Sequence, residues 1–270
     1  MARRRRSRTS SDKLKGIILG LIGVGLFAAL GGVWYFLSSA HVAIDSQTNC
    51  PKAGPAGIQV VLIDKSDPIT PQQSQRVRQY IEELANSAKP GTRFDLYVAD
   101  GDSKNVLKPT ASVCSSGRGN QANPLYQNPT MVQRQFEERF LSVLRKAVDQ
   151  LLTASTTDTS PILESIRAAA ITSFGPATPD IPLDLTIVSD LVQHSALNSH
   201  FRGETNFDDL ARKPAWRGLQ ASLKGAKVFC LYLLRPEAQV NRQPIQNRGH
   251  QLFWEKAIRA SGGEIVFETI

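Results

Sequence analysis

The chain has few of the residues and patterns that mark an enzyme. Among 270 residues there are four histidines and three cysteines. Neither a cysteine nor a third histidine stands at ligand spacing beside His194 and His200. A histidine-rich metal or acid–base centre therefore has no support, and the pair is expected to face solvent. His250 has no partner that the sequence identifies. No Gly-x-Ser-x-Gly elbow, Gly-x-Gly-x-x-Gly fingerprint, Walker loop or His-Glu-x-x-His is found, so the usual sequence grounds for an acyl hydrolase, a dinucleotide enzyme, an NTPase or a zinc protease are missing. There is no internal repeat.

Charge is missing altogether from Gly16 to Leu37, GIILGLIGVGLFAALGGVWYFL. That is about the length needed to cross a hydrocarbon core of roughly 30 Å. It is too long for an ordinary signal-peptide core and ends in Trp34 and Tyr35, which suit a membrane interface. Seven basic residues precede it against the single acid Asp12, and no Lys or Arg follows until Lys52. This asymmetry predicts a cytosolic tail (1–15), a single transmembrane helix (16–37), a linker (38–56) and an exported domain (57–270), periplasmic or extracellular. The tail supplies most of the formal charge of +8, so overall basicity is no argument for nucleic acid, and none is expected as a partner. Gly16 with Gly20 and Gly25 with Ala29 give small-xxx-small spacings through which two such helices could dimerise.

The domain opens with GIQVVLIDKSDPIT, Gly57 to Thr70. Its continuous apolar run is that of a strand buried on both faces in a parallel sheet. Asp64, Ser66 and Asp67 follow where such a strand delivers residues to the ligand-binding edge. Thr70, Pro71 and Gln73 then read as an N-cap, a first-turn proline and a capping-box partner. Arg93–Asp100 is a second strand, and the short turn Gly101–Asn105 brings Val106–Cys114 back antiparallel. A long helix follows with an apolar stripe of Val132, Phe136, Phe140, Val143, Leu144, Ala147, Val148 and Leu151. Ser160 and Pro161 cap and start the next helix. The strand Asp184–Asp190 repeats the opening logic, ending in hydroxyl and carboxylate. A helix near Ala215–Leu223, a strand Lys227–Leu234, a helix Gln251–Ala260 and a strand Glu264–Thr269 close the domain. The class is α/β, a doubly wound, mostly parallel six-stranded sheet with one antiparallel edge strand.

Cys230 lies within KVFCLYLL, where a buried thiol acts as a small hydrophobe. Cys50 and Cys114 lie in polar surroundings. Cys50 precedes the first strand and Cys114 ends the descending third one, so both belong at the same end of the sheet and should form a disulfide in an exported domain.

This order of elements, with the hairpin in second and third place and polar clusters at strand ends, resembles the von Willebrand factor A family from Gly57 to Ile270. Family members hold Mg²⁺ at a metal-ion-dependent adhesion site built from Asp-x-Ser-x-Ser, a threonine before a later helix, and an aspartate within Ser-Asp-Gly. The matching positions are Asp64-Lys65-Ser66-Asp67-Pro68, Ser160 with Thr159 beside it, and Asp190 in Ser189-Asp190-Leu191. The resemblance implies Asp64, Ser66, Ser160 and Asp190 as ligands of Mg²⁺, with Asp67 either a substitute ligand or a helix-entry carboxylate favoured by the dipole, and Thr159 beside the site. Two positions depart from the pattern. Pro68 removes one hydroxyl ligand and Leu191 replaces the glycine, so tight Mg²⁺ binding is not expected.

The resemblance implies a binding module that presents its loops to a protein partner in an envelope or membrane-associated assembly, without turnover. The competing expectation is a hydrolase. An aspartate ending a first strand resembles the nucleophile of haloacid-dehalogenase-like phosphatases, but Ser66 stands where their second acid belongs.

Overall fold

The uncharged stretch is helical. α1 covers Thr9–Ser39, and its segment Leu14–Tyr35 is long and apolar enough to cross a membrane. From Gly16 to Leu37 the helix carries no charge and has no face suited to water, while its backbone groups satisfy one another internally. The computed structural model describes residues 9–39, 43–99, 108–125, 127–153, 157–175 and 180–270, without the side chains of 9–13 and 36–39. The arginines before Thr9, Asp100 and the turn Gly101–Asn105 thus lie outside the described residues. The chain divides into two units, Met1–Ala43 and Ile44–Ile270.

The second unit begins with a folded loop. Asp45 accepts hydrogen bonds from the backbone of Gln47 and Thr48 and from the Thr48 hydroxyl, a turn that Asp stabilises with its own side chain. Asn49, in the left-handed region at φ 57°, donates its amide to the Cys114 carbonyl. Cys50 and Cys114 form a disulfide with Cα atoms 4.8 Å apart.

Six strands follow: β1 (Gly57–Asp64), β2 (Thr92–Ala99), β3 (Ala111–Cys114), β4 (Leu183–Ser189), β5 (Lys227–Tyr232) and β8 (Glu264–Thr269). Their order is β3-β2-β1-β4-β5-β8, parallel except where β3 runs against β2. Alternate residues of β1 serve opposite cores. Ile58, Val60 and Leu62 pack with α5 (Ile162–Ser173), α6 (Phe207–Arg212), α7 (Ala215–Leu219) and α8 (Arg248–Ala260). Val61 and Ile63 pack with α2 (Pro71–Ser87), with α4 (Ser142–Leu151) and with the segment Phe136–Leu141 that joins α4 to α3 (Pro129–Gln135). Both faces are covered, and this explains the uninterrupted apolar run. A small hairpin, β6 (Gln239–Val240) and β7 (Gln243–Pro244), turns through Asn241 and Arg242, both at positive φ. The sequence reading had no element there.

Local signals account for most boundaries. The Thr70 hydroxyl accepts from the Gln73 backbone while the Gln73 side chain accepts from the Thr70 backbone, so the capping box forms as the spacing predicts. The long helix departs from its expected stripe. α3 and α4 are joined by a wide π turn, Phe136–Leu141, in which each residue turns the helix through less than the usual angle. Phe136, Phe140 and Leu144 are thereby aligned, Leu141 is buried, and Val143 faces solvent.

Candidate functional site

The five parallel strands deliver their carboxyl ends to one edge, opposite the disulfide. β1 and β4 are neighbours in register, Ile63 beside Val188, so Asp64 and Ser189 emerge side by side. Asp64 is buried. One carboxylate oxygen accepts from the Ser66 backbone at 2.9 Å and the Ser66 hydroxyl at 2.7 Å. The other accepts from the Ser189 hydroxyl at 2.8 Å and the Ser160 hydroxyl at 3.3 Å. Burial raises its pKa and these hydrogen bonds, those of Ser66 foremost, pull it back.

Ser160 does not cap α5 as the spacing predicted. Its backbone exchanges two hydrogen bonds with His194, both 2.8 Å, which turns its hydroxyl toward Asp64. The Leu163 N–H is capped instead by the Gln193 side chain at 2.9 Å.

Asp190 is also buried. Its Oδ1 accepts from the Val192 N–H at 2.8 Å, and its Oδ2 lies 3.4 Å from Nε of Arg235. Burial first, then the charges of Asp64 and Asp67, push its pKa up to about 7 against the pull of Arg235. Asp67 is exposed and Thr159 half-buried at the rim, where the Thr159 carbonyl accepts from the Thr157 hydroxyl. Asp64, Ser66, Ser160 and Asp190 are thus gathered at one edge, with Asp67 and Thr159 at its margin.

Leu191, which stands where the resembling pattern has a glycine, has φ 59°, a left-handed conformation that costs a residue with a Cβ roughly 1–2 kcal/mol. Two donors hold its carbonyl, Nε2 of His250 at 3.0 Å and Nε1 of Trp254 at 2.9 Å. With its proton on Nε2, His250 accepts at Nδ1 from the Tyr232 hydroxyl at 2.6 Å. His200, 3.1 Å from His250, stands edge to face with Phe253 and Trp254.

The histidine expectation is therefore corrected. His200 and His250 are buried in the core, and burial lowers the pKa of both, that of His250 to about 4. His194 is partly buried and paired with Ser199 at 2.8 Å. Sequence reasoning also missed Arg235 and the α8 residues behind Leu191, and gave Ser189 no role beyond its place at the strand end. The available signal for Arg235 was its place just past an apolar strand, at the same edge as Asp64.

No family model and no curated protein matches the chain. One solved structure similar to it is an aerotolerance-related membrane protein from Bacteroides fragilis NCTC 9343, studied with multiple mutations to serines. It is 13% identical over 79% of this chain and 90% of its own, with a TM-score of 0.38. The six-stranded order with one antiparallel edge strand, helices on both faces and polar loops gathered at the carboxyl edge make the fold of the second unit von Willebrand factor A-like.

Proposed function

We propose that the chain is a single-pass membrane protein with a cytosolic amino terminus, whose exported unit binds a protein partner through the Asp64 edge without turnover. The enclosure of Asp64 supports this most directly. A carboxylate whose two oxygens take four hydrogen bonds from Ser66, Ser160 and Ser189 braces three loops and has no free lone pair for attack. The basic excess before the apolar stretch Gly16 to Leu37 supports the topology.

The hydrolase reading draws on one observation, the rise of Asp190 to about 7, a range that suits a general acid. Three measurements separate these readings. A reporter active only after export, fused after Ile270, should function, and activity of a cytosol-only reporter there would overturn the topology. Photocrosslinkers at Asp67 and Thr159 should capture a protein partner in the native cell, whereas equal capture from a position beside Cys50 would remove the edge from the interface. Hydrolysis of phosphate esters by the purified chain, abolished by Asp64→Asn, would establish the enzyme.

A further inference from the structure

We infer that Arg235 is a built-in cation for the acidic edge, taking the neutralising role of a divalent ion beside Asp190, so that the edge holds no Mg²⁺. The inference rests on the site reading above and deepens it by naming what balances the carboxylates.

Mg²⁺ demands six oxygens in near-ideal octahedral geometry and is held through one or two carboxylates. Asp64 cannot serve as a direct carboxylate ligand, because its oxygens are already filled by two donors each. The hydroxyls of Ser66 and Ser160 donate to that same carboxylate and keep only neutral lone pairs. Pro68 brings no hydroxyl. Asp190 remains as the buried anionic ligand, with Asp67 exposed at the rim. Its Oδ1 is engaged by Val192, and its Oδ2 faces the Arg235 guanidinium across 3.4 Å. A divalent ion on that oxygen would sit beside a fixed positive charge where little water screens the repulsion. The residues present therefore do not fit the ion that the family resemblance implies.

Arg235 is fixed where it stands. Its backbone N–H donates to the Gln246 side chain at 2.6 Å. The amide of the same glutamine donates to the carbonyls of Asp190 at 2.9 Å and Leu233 at 2.8 Å. One side chain thus ties the Arg235 and Asp190 backbones together. The arginine is buried, and its Nε has no hydrogen-bond partner, which leaves the Asp190 carboxylate as its counter-charge. Guanidinium stays charged at any working pH, and a buried charge stripped of its partner is strongly destabilising.

The test uses the full chain in detergent at mildly alkaline pH, with Mn²⁺ as the probe and free Mn²⁺ read by electron paramagnetic resonance. The wild type should leave the free Mn²⁺ signal intact, and its melting temperature should be the same in EDTA and in excess Mg²⁺. Arg235→Met should gain saturable Mn²⁺ binding, and Arg235→Lys, which keeps the charge, should behave as the wild type. Saturable binding by the wild type, or none by a folded Arg235→Met, overturns the inference. Should Arg235→Met fail to fold, a double-mutant cycle on metal-free protein decides. Asp190→Asn alone should lower the urea midpoint more than Asp190→Asn combined with Arg235→Met, and strictly additive losses overturn the pairing.

Discussion

Replacing His250 with Gln should cost the domain less stability in acid than at neutral pH. Burial depresses the His250 pKa from 6.5 to about 4, with the Leu191 carbonyl bond opposing. On acidification the unfolded chain therefore takes up the proton first. The native state keeps its full advantage above the unfolded value of 6.5 and loses it as pH falls toward the folded value. At a pH of about 4.5 the accumulated loss is roughly 2.5 kcal/mol. Gln can still donate to Leu191 but does not titrate, so it escapes this loss.

The slope of the wild type alone is not diagnostic, because Asp190 acts in the opposite sense. Its folded pKa is raised to about 7, so the native state binds that proton first and gains stability as pH falls from about 7 toward the ordinary carboxylate range. Subtracting the variant from the wild type removes this shared contribution. In urea unfolding, the gap between them should shrink by roughly 2.5 kcal/mol between about pH 7 and about pH 4.5. A gap that stays constant or widens would refute the assignment of a neutral, buried His250.

Two further outcomes follow from the cores and the entry loop. Joining Cys50 and Cys114 across 64 residues should stabilise the unit by roughly 4 kcal/mol in the chain-entropy model; a loss below about 1 kcal/mol in the Cys50→Ala, Cys114→Ala double variant, from urea unfolding, would contradict that reading. Phe140 is fully buried against Phe94 and Phe136, and Phe140→Ala should cost about 3–5 kcal/mol by the same assay, with a cost under about 1 kcal/mol placing the ring outside the core.

What the sequence disclosed was chiefly local or periodic. The β1 run, the Thr70 capping box and the alternation of strands and helices all depend on neighbours within a few residues. The pairing of Cys50 with Cys114 needed only strand directions. What it concealed depends on distant partners. His250 and Trp254 meet the Leu191 carbonyl from 59 and 63 residues away, and no spacing rule reaches that far. Two histidines in a polar stretch read as exposed because nothing nearby announces the aromatic pocket of Phe253 and Trp254 around His200. The π turn is equally silent, since Leu141 and Val143 are both apolar and only the altered twist decides which is buried.

The two departures from the family pattern have unequal consequences for the site. Leu191 meets the cost of a left-handed backbone with compensation in place. Its side chain is fully buried, a contribution of about 1.5–3 kcal/mol, and its carbonyl is held by two donors from α8. The turn that a glycine would permit is kept, and Asp190 remains aimed at the edge beside Asp64. Pro68 has no such compensation, for the hydroxyl it displaces is not supplied by another residue of the Asp64–Thr70 turn facing the carboxylates; the Ser66 hydroxyl is already bonded to Asp64. The edge thus retains its loop geometry and loses oxygen ligands, while Arg235 supplies positive charge from within the chain. Fixed loops with few free oxygen ligands support the proposed reading of a surface that meets a partner without an ion.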